Sequence, residues 1–505
     1  MQHAHIASLV FFGLLCMPAF SAAQVDPVER QLLASIEQGI DKGSYSDIEG
    51  RLMQFVVSHP NNASGLRLLG RLRFRQGRLN EARSLYQRSV ILDPTAVRTK
   101  VDLSVTLYDL GEIGAARELL KGITIESTLP PDLLQLSQAL VMAEEYEDAL
   151  RAIDRLPASL RNGAALALRV ESHLALDQPG SVTKLIPAAR MKVPSDPDVA
   201  TRVAGVLVGT AFNKEAASLL ALILRNSPKS VPALLLMGRA KLNERDLASA
   251  REHAVKAASL DPRSPEAAYL VATIESEQGR YTEALAAFER ALELSPDSVE
   301  VMAKAIVAAM RANKSRRAVD IARDLIRLKP DDPDSVYLFG AASLQAGRIG
   351  DAEDYLGRYV LERPNDGRGC VAFALSLAAQ PAKIDLARSN LEGCVAKDPA
   401  NFEATYQLAL SYRSSGDAAK AIEYLERTVR LSPNYAVAVR ELGVMYLQSG
   451  KEEQARTHLE RAVKLAPEDA DGHFQLSRLY NLLGQPALAK QHFDIFQKLR
   501  NPGSN

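Results

Sequence analysis

Three arginines, Arg67, Arg71 and Arg75, stand at i, i+4 and i+8, a spacing that lines them along one face of a helix. Each guanidinium offers a rigid fork of donors, so such a stripe suits a carboxylate or phosphate ligand. The plainer reading is a solvated, arginine-rich helix. Residues 63–96 hold seven Arg against Glu81 and Asp93, a net of +5, whereas residues 265–298 hold two Arg against seven acids, a net of −5. Other chemistry has no pattern to carry it. The chain has no HExxH helix, no phosphate-cradling glycine loop, no nucleophile elbow and no CxxC pair. No catalytic residue, no metal ligand set and no cofactor are therefore expected, and the chain reads as a non-enzyme. The eight histidines (His3, His5, His59, His173, His253, His458, His473 and His492) fall singly along the chain. Each reads as a surface or helix-end residue.

Composition narrows the class further. Among 505 residues, 61 Lys and Arg balance 61 Asp and Glu, which leaves no overall field to hold a polyanion, so nucleic acid is not an expected partner. Three cysteines cannot staple a chain of this length into a disulfide framework. Residues 6–17 (IASLVFFGLLCM) are free of charge and lead into Ser21-Ala22-Ala23. That apolar core is too short to span a bilayer, which takes about 20 residues. It fits a secretory signal peptide over residues 1–23, although the n-region lacks Lys and Arg. The expected location is outside the cytoplasm, in the periplasm of a bacterial envelope. Gly13 and Leu15 do not fit a lipidation site at Cys16, and no later apolar run is long enough to span a membrane.

The elements that position these residues are set by a repeat. Prolines recur at Pro228, Pro262, Pro296, Pro330, Pro364, Pro399, Pro433 and Pro467, in steps of 34 with a single 35. Proline cannot continue a helix, so each marks a helix stop. Between stops lie two apolar-periodic stretches. In 436–469, Val439, Leu442, Gly443 and Tyr446 share one face, Gly450 interrupts, and Ala455, Leu459 and Ala462 resume the pattern. This predicts an antiparallel helix pair in which Gly443 and Ala455 permit close approach, with Tyr446 and Leu459 filling the space toward the next pair.

These residues resemble the tetratricopeptide repeat, a 34-residue helix-turn-helix unit. The match is close in 265–298 (Gly279, Tyr281, Ala284, Phe288, Ala291, Pro296) and in 402–435 (Leu408, Ala409, Tyr412, Gly416, Ala421, Leu425, Pro433). Weaker units begin near 97, 131, 164, 197, 231, 299, 368 and 470, and a degenerate one covers 29–62. No unit has Trp in the opening aromatic slot. The resemblance implies an all-α superhelical solenoid of antiparallel helix pairs, laid out as a signal peptide (1–23), a degenerate N-terminal repeat (24–62), a block with decayed repeats (63–196) and a regular block (197–503). Extra prolines in 97–196 leave two readings: repeat decay, or a bend between blocks.

In the family, first-helix residues at the fifth and ninth positions and near the thirteenth line an inner groove. Arg67, Arg71 and Arg75 fall there, as do Tyr269, Tyr337, Tyr406 and Phe474 at the fifth position of alternate units. An aromatic row in a groove suits an extended peptide or stacked sugar rings. The implied function is a scaffold holding protein partners, with a helper role in exopolysaccharide secretion, contacting polysaccharide, as the alternative. Cys370 and Cys394 fall opposite each other in one irregular pair. An exported protein would join them as a disulfide; two buried thiols are the other possibility. The last repeat ends without a polar capping helix, which leaves its face open to a partner or to self-association.

Overall fold

A computed structural model describes residues 27–43, 45–161 and 163–501; the leader, Cys16 and the last four residues lie outside the described residues. Among the described residues the chain is an all-α solenoid of fourteen antiparallel helix pairs. Contacts group it into two compact units that divide between Leu236 and Met237, within α13. In the first unit the pairs are α1 (Pro27–Asp41) with α2 (Tyr45–Ser58), α3 (Ala63–Arg75) with α4 (Leu79–Leu92), α5 (Val97–Asp109) with α6 (Ile113–Lys121), α7 (Pro130–Met142) with α8 (Tyr146–Asp154), α9 (Gly163–Ala175) with α10 (Pro179–Lys192), and α11 (Pro197–Leu207) with α12 (Asn213–Asn226). After α13 (Val231–Asn243) and α14 (Leu247–Leu260) come α15 (Pro265–Glu277) with α16 (Tyr281–Leu294), α17 (Val299–Arg311) with α18 (Ser315–Leu328), and α19 (Pro333–Gln345) with α20 (Ile349–Glu362). The remaining pairs are α21 (Gly367–Ala378) with α22 (Ile384–Lys397), α23 (Phe402–Ser414) with α24 (Ala418–Leu431), α25 (Ala436–Gln448) with α26 (Glu452–Leu465), and α27 (Ala470–Leu482) with α28 (Pro486–Arg500).

Each pair is built by the same local rules. Asn62, Asp196, Ser264, Asp332 and Asn401 cap first helices by accepting a backbone N–H three residues on. The turn between helices needs one left-handed residue. Gly supplies it in most pairs, and Glu144, Asp177, Arg245 and Asn313 supply it in four. Thirteen of the fourteen pairs turn this way among the described residues; α21 and α22 instead join through a 3₁₀ turn at Pro381–Lys383. Helix contact is close where a first helix lacks a side chain. A Cβ added at Gly443 would sit 2.7 Å from Leu459 Cγ and 3.1 Å from its backbone nitrogen. Ala455, Leu459 and Ala462 are fully or almost fully buried against that face.

Tyr446 does not reach toward the next pair, as its position in the pattern suggested. Its hydroxyl donates to Glu426 in the preceding α24. The same bond recurs one repeat either side: Tyr412 to Glu392 at 2.5 Å and Tyr480 to Glu460 at 2.7 Å. The prolines also do more than stop helices. The carbonyls of Pro262, Pro330, Pro399 and Pro433 accept from Arg290, Arg358, Arg427 and Arg461, each 28 residues on. The chain just past each helix end is thereby bonded to the next pair.

Between 97 and 196 the pattern shortens. Helices α6 and α8 have nine residues each and are followed by 3₁₀ turns at Ile125–Ser127 and Ala158–Leu160. Pro130 and Pro179 open helices there and Pro197 opens the next, where their missing N–H costs nothing, and Pro187 lies inside α10. This stretch falls wholly within the first compact unit.

Candidate functional site

Consecutive first helices touch one another, as α5 does α7, α7 does α9, α9 does α11, α17 does α19 and α21 does α23. No two consecutive second helices make a contact of that extent among the described residues. Within each unit the first helices therefore line the tighter, inner side of the stack, and their outward residues form its floor.

On the floor of the first unit the arginine stripe is already occupied. Arg67 pairs with Glu37 at 2.8 Å and with Asp102 at 3.2 Å, and Arg71 pairs with Glu37 and with Asp41 at 2.7 Å. Burial works against the Arg67 charge, but the bond it donates to Glu37 and the charge of Asp102 outweigh it and hold its pKa above the ordinary value. Burial likewise would raise Glu37, yet Arg67, Arg71 and Arg98 hold that carboxyl below the usual range. Burial wins at Asp102, whose carboxyl is raised even beside Arg67. Arg75 alone of the three is exposed, with no ion-pair partner among the described residues. The stripe is thus mainly an internal ion-pair network, which corrects its reading as three guanidiniums offered to a ligand.

The charge imbalance of single repeats dissolves in the same way. Arg73 bonds Glu49, and Arg83 bonds Glu112 on the following pair. In the acidic repeat, Glu275 takes Arg251 and Arg280, Glu277 takes Arg245, and Glu289 takes Arg317. Many of these partners sit 24–32 residues apart, one helix pair over.

The aromatic row is broken. Tyr406 is 7% exposed, its ring 5.2 Å from that of Tyr435, and burial pushes its hydroxyl up to about 12. It belongs to the core of its repeat, so its ring face is not offered to a ligand. Tyr269, Tyr337 and Phe474 are half-buried. The Tyr269 hydroxyl donates to Glu300 on α17, and Lys304 lies 5.4 Å over its ring. Tyr337 carries the Arg368 guanidinium at 5.2 Å. Phe474 packs at 5.2 Å on Phe496 beside Arg440 and Arg500 in a groove of about 490 Å³.

The floor of the second unit also carries aliphatic side chains. The ninth position of first helices α17 to α27 reads Val307, Ala341, Leu375, Leu410, Val444 and Arg478; Val307 and Leu375 are 46% and 37% exposed, Leu410 and Val444 are half-buried, Ala341 is buried and Arg478 is exposed. Sequence reasoning singled out the ninth position only for arginine; the row was readable once each repeat start was fixed. In the first unit the equivalent residue of α9 is Glu171, missed because that repeat begins at Gly163, one residue earlier than its pattern suggested.

Cys370 on α21 and Cys394 on α22 are joined as a disulfide with Cα atoms 6.1 Å apart, in the one pair that lacks a left-handed turn residue. The histidines are not all solitary. His473 Nδ1 lies 2.9 Å from His492 Nδ1, and burial, then the His473 charge, holds His492 below its ordinary pKa. At the chain's end Phe493 is 38% exposed where its counterpart one repeat earlier, Leu459, is fully buried, and Leu482 and Leu499 are exposed beside it in the same repeat. Among the described residues there is no cluster of three potential metal ligands and no helix long and apolar enough to cross a membrane.

One tetratricopeptide-repeat family model matches residues 46–97, 235–299 and 376–436, and a second matches 276–334 and 412–473. No curated protein matches the chain. Among solved structures, the crystal structure of the APC/C hetero-tetramer Cut9-Hcn1 is similar at 16% identity and a TM-score of 0.38, covering 88% of this chain and 94% of that one. A tetratricopeptide repeat protein from Parabacteroides merdae ATCC 43184 is similar at 18% identity and a TM-score of 0.43, over 53% of this chain and 99% of that one. The structure described as MamA MSR-1 C2 is 21% identical with a TM-score of 0.30, over 35% and 99%.

Proposed function

Given that the chain is an all-α tetratricopeptide-repeat solenoid, we propose that it is a non-catalytic scaffold of the bacterial cell envelope that holds protein partners on its first-helix floor. One observation carries the reading: the aliphatic row from Val307 to Val444 on consecutive first helices, in which Val307 and Leu375 are exposed and Leu410 and Val444 half-buried. Side chains of this kind, left open along a rigid floor, gain from burial under a partner, about 25 cal/mol for each Å² covered.

Location in an oxidising compartment, the periplasm, is supported by the leader-like residues 1–23 and by the Cys370–Cys394 disulfide, since such bonds persist outside the cytosol. A glycan-handling role is supported less, because Tyr406 is withdrawn into the core and leaves Tyr269, Tyr337 and Phe474 too few and too widely spaced for a continuous stacking surface. Exposed Leu482, Phe493 and Leu499 favour a second copy at the C-terminal repeat, which a concentration-dependent mass would reveal.

The deciding experiment compares the wild type with a Val307→Glu, Leu375→Glu variant as bait for envelope extracts. A protein retained by the wild type and lost from the variant, with helicity unchanged, supports the reading. The same set of proteins on both baits refutes it.

A further inference from the structure

In the first unit, α7, α9 and α11 enclose a groove of about 660 Å³, within the range of sites that hold a short stretch of peptide or a small molecule. Its floor is made of small and aliphatic side chains, Ala164, Ala167 and Leu168 of α9 with Gly205 and Val206 of α11. Leu168, Glu171 and Ala175 fall at i, i+3 and i+7, so the Glu171 carboxylate rises from the same helical face as the apolar floor.

Glu171 lacks the arginine that several acids of the first unit have. Glu37, Asp102 and Asp132 each have an arginine. No basic group lies within ion-pair distance of Glu171 among the described residues. The carboxylate is exposed at the groove, and partial desolvation raises its pKa, with no neighbouring charge to offset this. An exposed carboxylate beside an apolar floor and lacking a cation can pair with one that arrives with a ligand. A divalent ion is poorly served, because it needs several oxygen ligands and the groove offers one carboxylate beside the Gln138 amide. Phosphate groups are repelled. A lysine or arginine suits the site at both ends: its methylene stem covers the alanine and leucine floor while its charge reaches the carboxylate. Arg202, on the α11 edge, disfavours a second cation on that side.

We propose that this groove docks a protein segment carrying a single lysine or arginine beside an apolar residue, with the basic side chain lying along α9 and paired to Glu171. The proposal deepens the scaffold reading and rests on it, but it concerns a different unit from the Val307–Val444 row.

The test uses the full-length mature chain and fluorescence anisotropy of a fluorescein-labelled hexapeptide with one lysine between leucine and alanine. Matched probes carry norleucine or glutamate in place of the lysine. The lysine probe should bind the wild type about tenfold more tightly than the norleucine probe. Glu171→Gln, an exposed and nearly isosteric change, should reduce that preference to within about twofold, and Glu171→Lys should reverse it in favour of the glutamate probe. Absence of binding, equal binding of the three probes, or a lysine preference that survives Glu171→Gln overturns the proposal. Each of those results leaves the scaffold reading standing, since that reading fails only if the Val307→Glu, Leu375→Glu bait retains the same proteins.

Discussion

Reducing one covalent bond should soften one helix pair and leave distant pairs as they were. The Cys370–Cys394 disulfide spans 24 residues. In the chain-entropy treatment a closed loop of about 25 residues removes about 12 cal/mol/K from the unfolded ensemble, or about 3.5 kcal/mol at 25 °C. At 1.4 kcal/mol per factor of ten, that corresponds to about a 300-fold change in the opening equilibrium of the pair. The pair has little in reserve, because it lacks the left-handed turn residue and enters α22 through the Pro381–Lys383 3₁₀ turn. In a solenoid each repeat contacts only its neighbours, so the loss should stay local. Hydrogen–deuterium exchange of a Cys370→Ser, Cys394→Ser variant should therefore show peptides within 367–397 losing protection by up to that factor. Peptides in α25 and α26, one full pair further on, should change by less than about tenfold. Uniform loss along the chain, or unchanged exchange in 367–397, would refute the reasoning. So would two alkylatable thiols at Cys370 and Cys394 in the non-reduced protein.

Gly443→Ala places a methyl against Leu459 and its backbone and should cost about 1–3 kcal/mol, whereas Gly393→Ala, with nothing within 4 Å in the interior of α22, should stabilise by about 0.5–1 kcal/mol; thermal melts compare them. Arg67→Ala strands Asp102, leaves Glu37 to Arg71 alone and should cost about 2 kcal/mol or more, while Arg75→Ala should stay within about 0.5 kcal/mol, as read by exchange in α1, α3 and α5. Tyr446→Phe removes the bond to Glu426 and should cost about 1 kcal/mol in denaturant unfolding. Tyr446 and Tyr480, through burial and then their glutamate bonds, and Tyr412, chiefly through its Glu392 bond, are pushed up to about 12. The folded state prefers the neutral phenol. Its contribution is therefore complete below the ordinary value near 10 and is lost as pH rises toward 12. Tyrosinate absorbance of these residues should lag that of exposed tyrosines, and a titration without such a lag would contradict the bond pattern.

The sequence was most legible where one repeat suffices. The proline steps, the glycine turns and the faces through Gly443 and Leu459 are short-range patterns, and a 34-residue period repeats them until the helix pairs are fixed. Cys370 and Cys394 could be placed opposite each other because both lie in one pair. The one-residue offset at Gly163 shows where this stops: in the proline-rich stretch the period slips, and with it the residue that faces the floor.

Sequence alone determined the all-α class, the succession of helix pairs and most of their boundaries, because hydrophobic period, caps and turn residues act within a single hairpin. Tertiary structure decided what the charges and aromatic rings do. Glu37 and Asp102 reach Arg67 from the pairs on either side, Tyr446 turns back to Glu426, and Tyr406 is covered by Tyr435. The physical reason is that these contacts depend on how one pair is rotated against the next. That rotation is set by packing across the interface between repeats, and no pattern internal to a repeat encodes it.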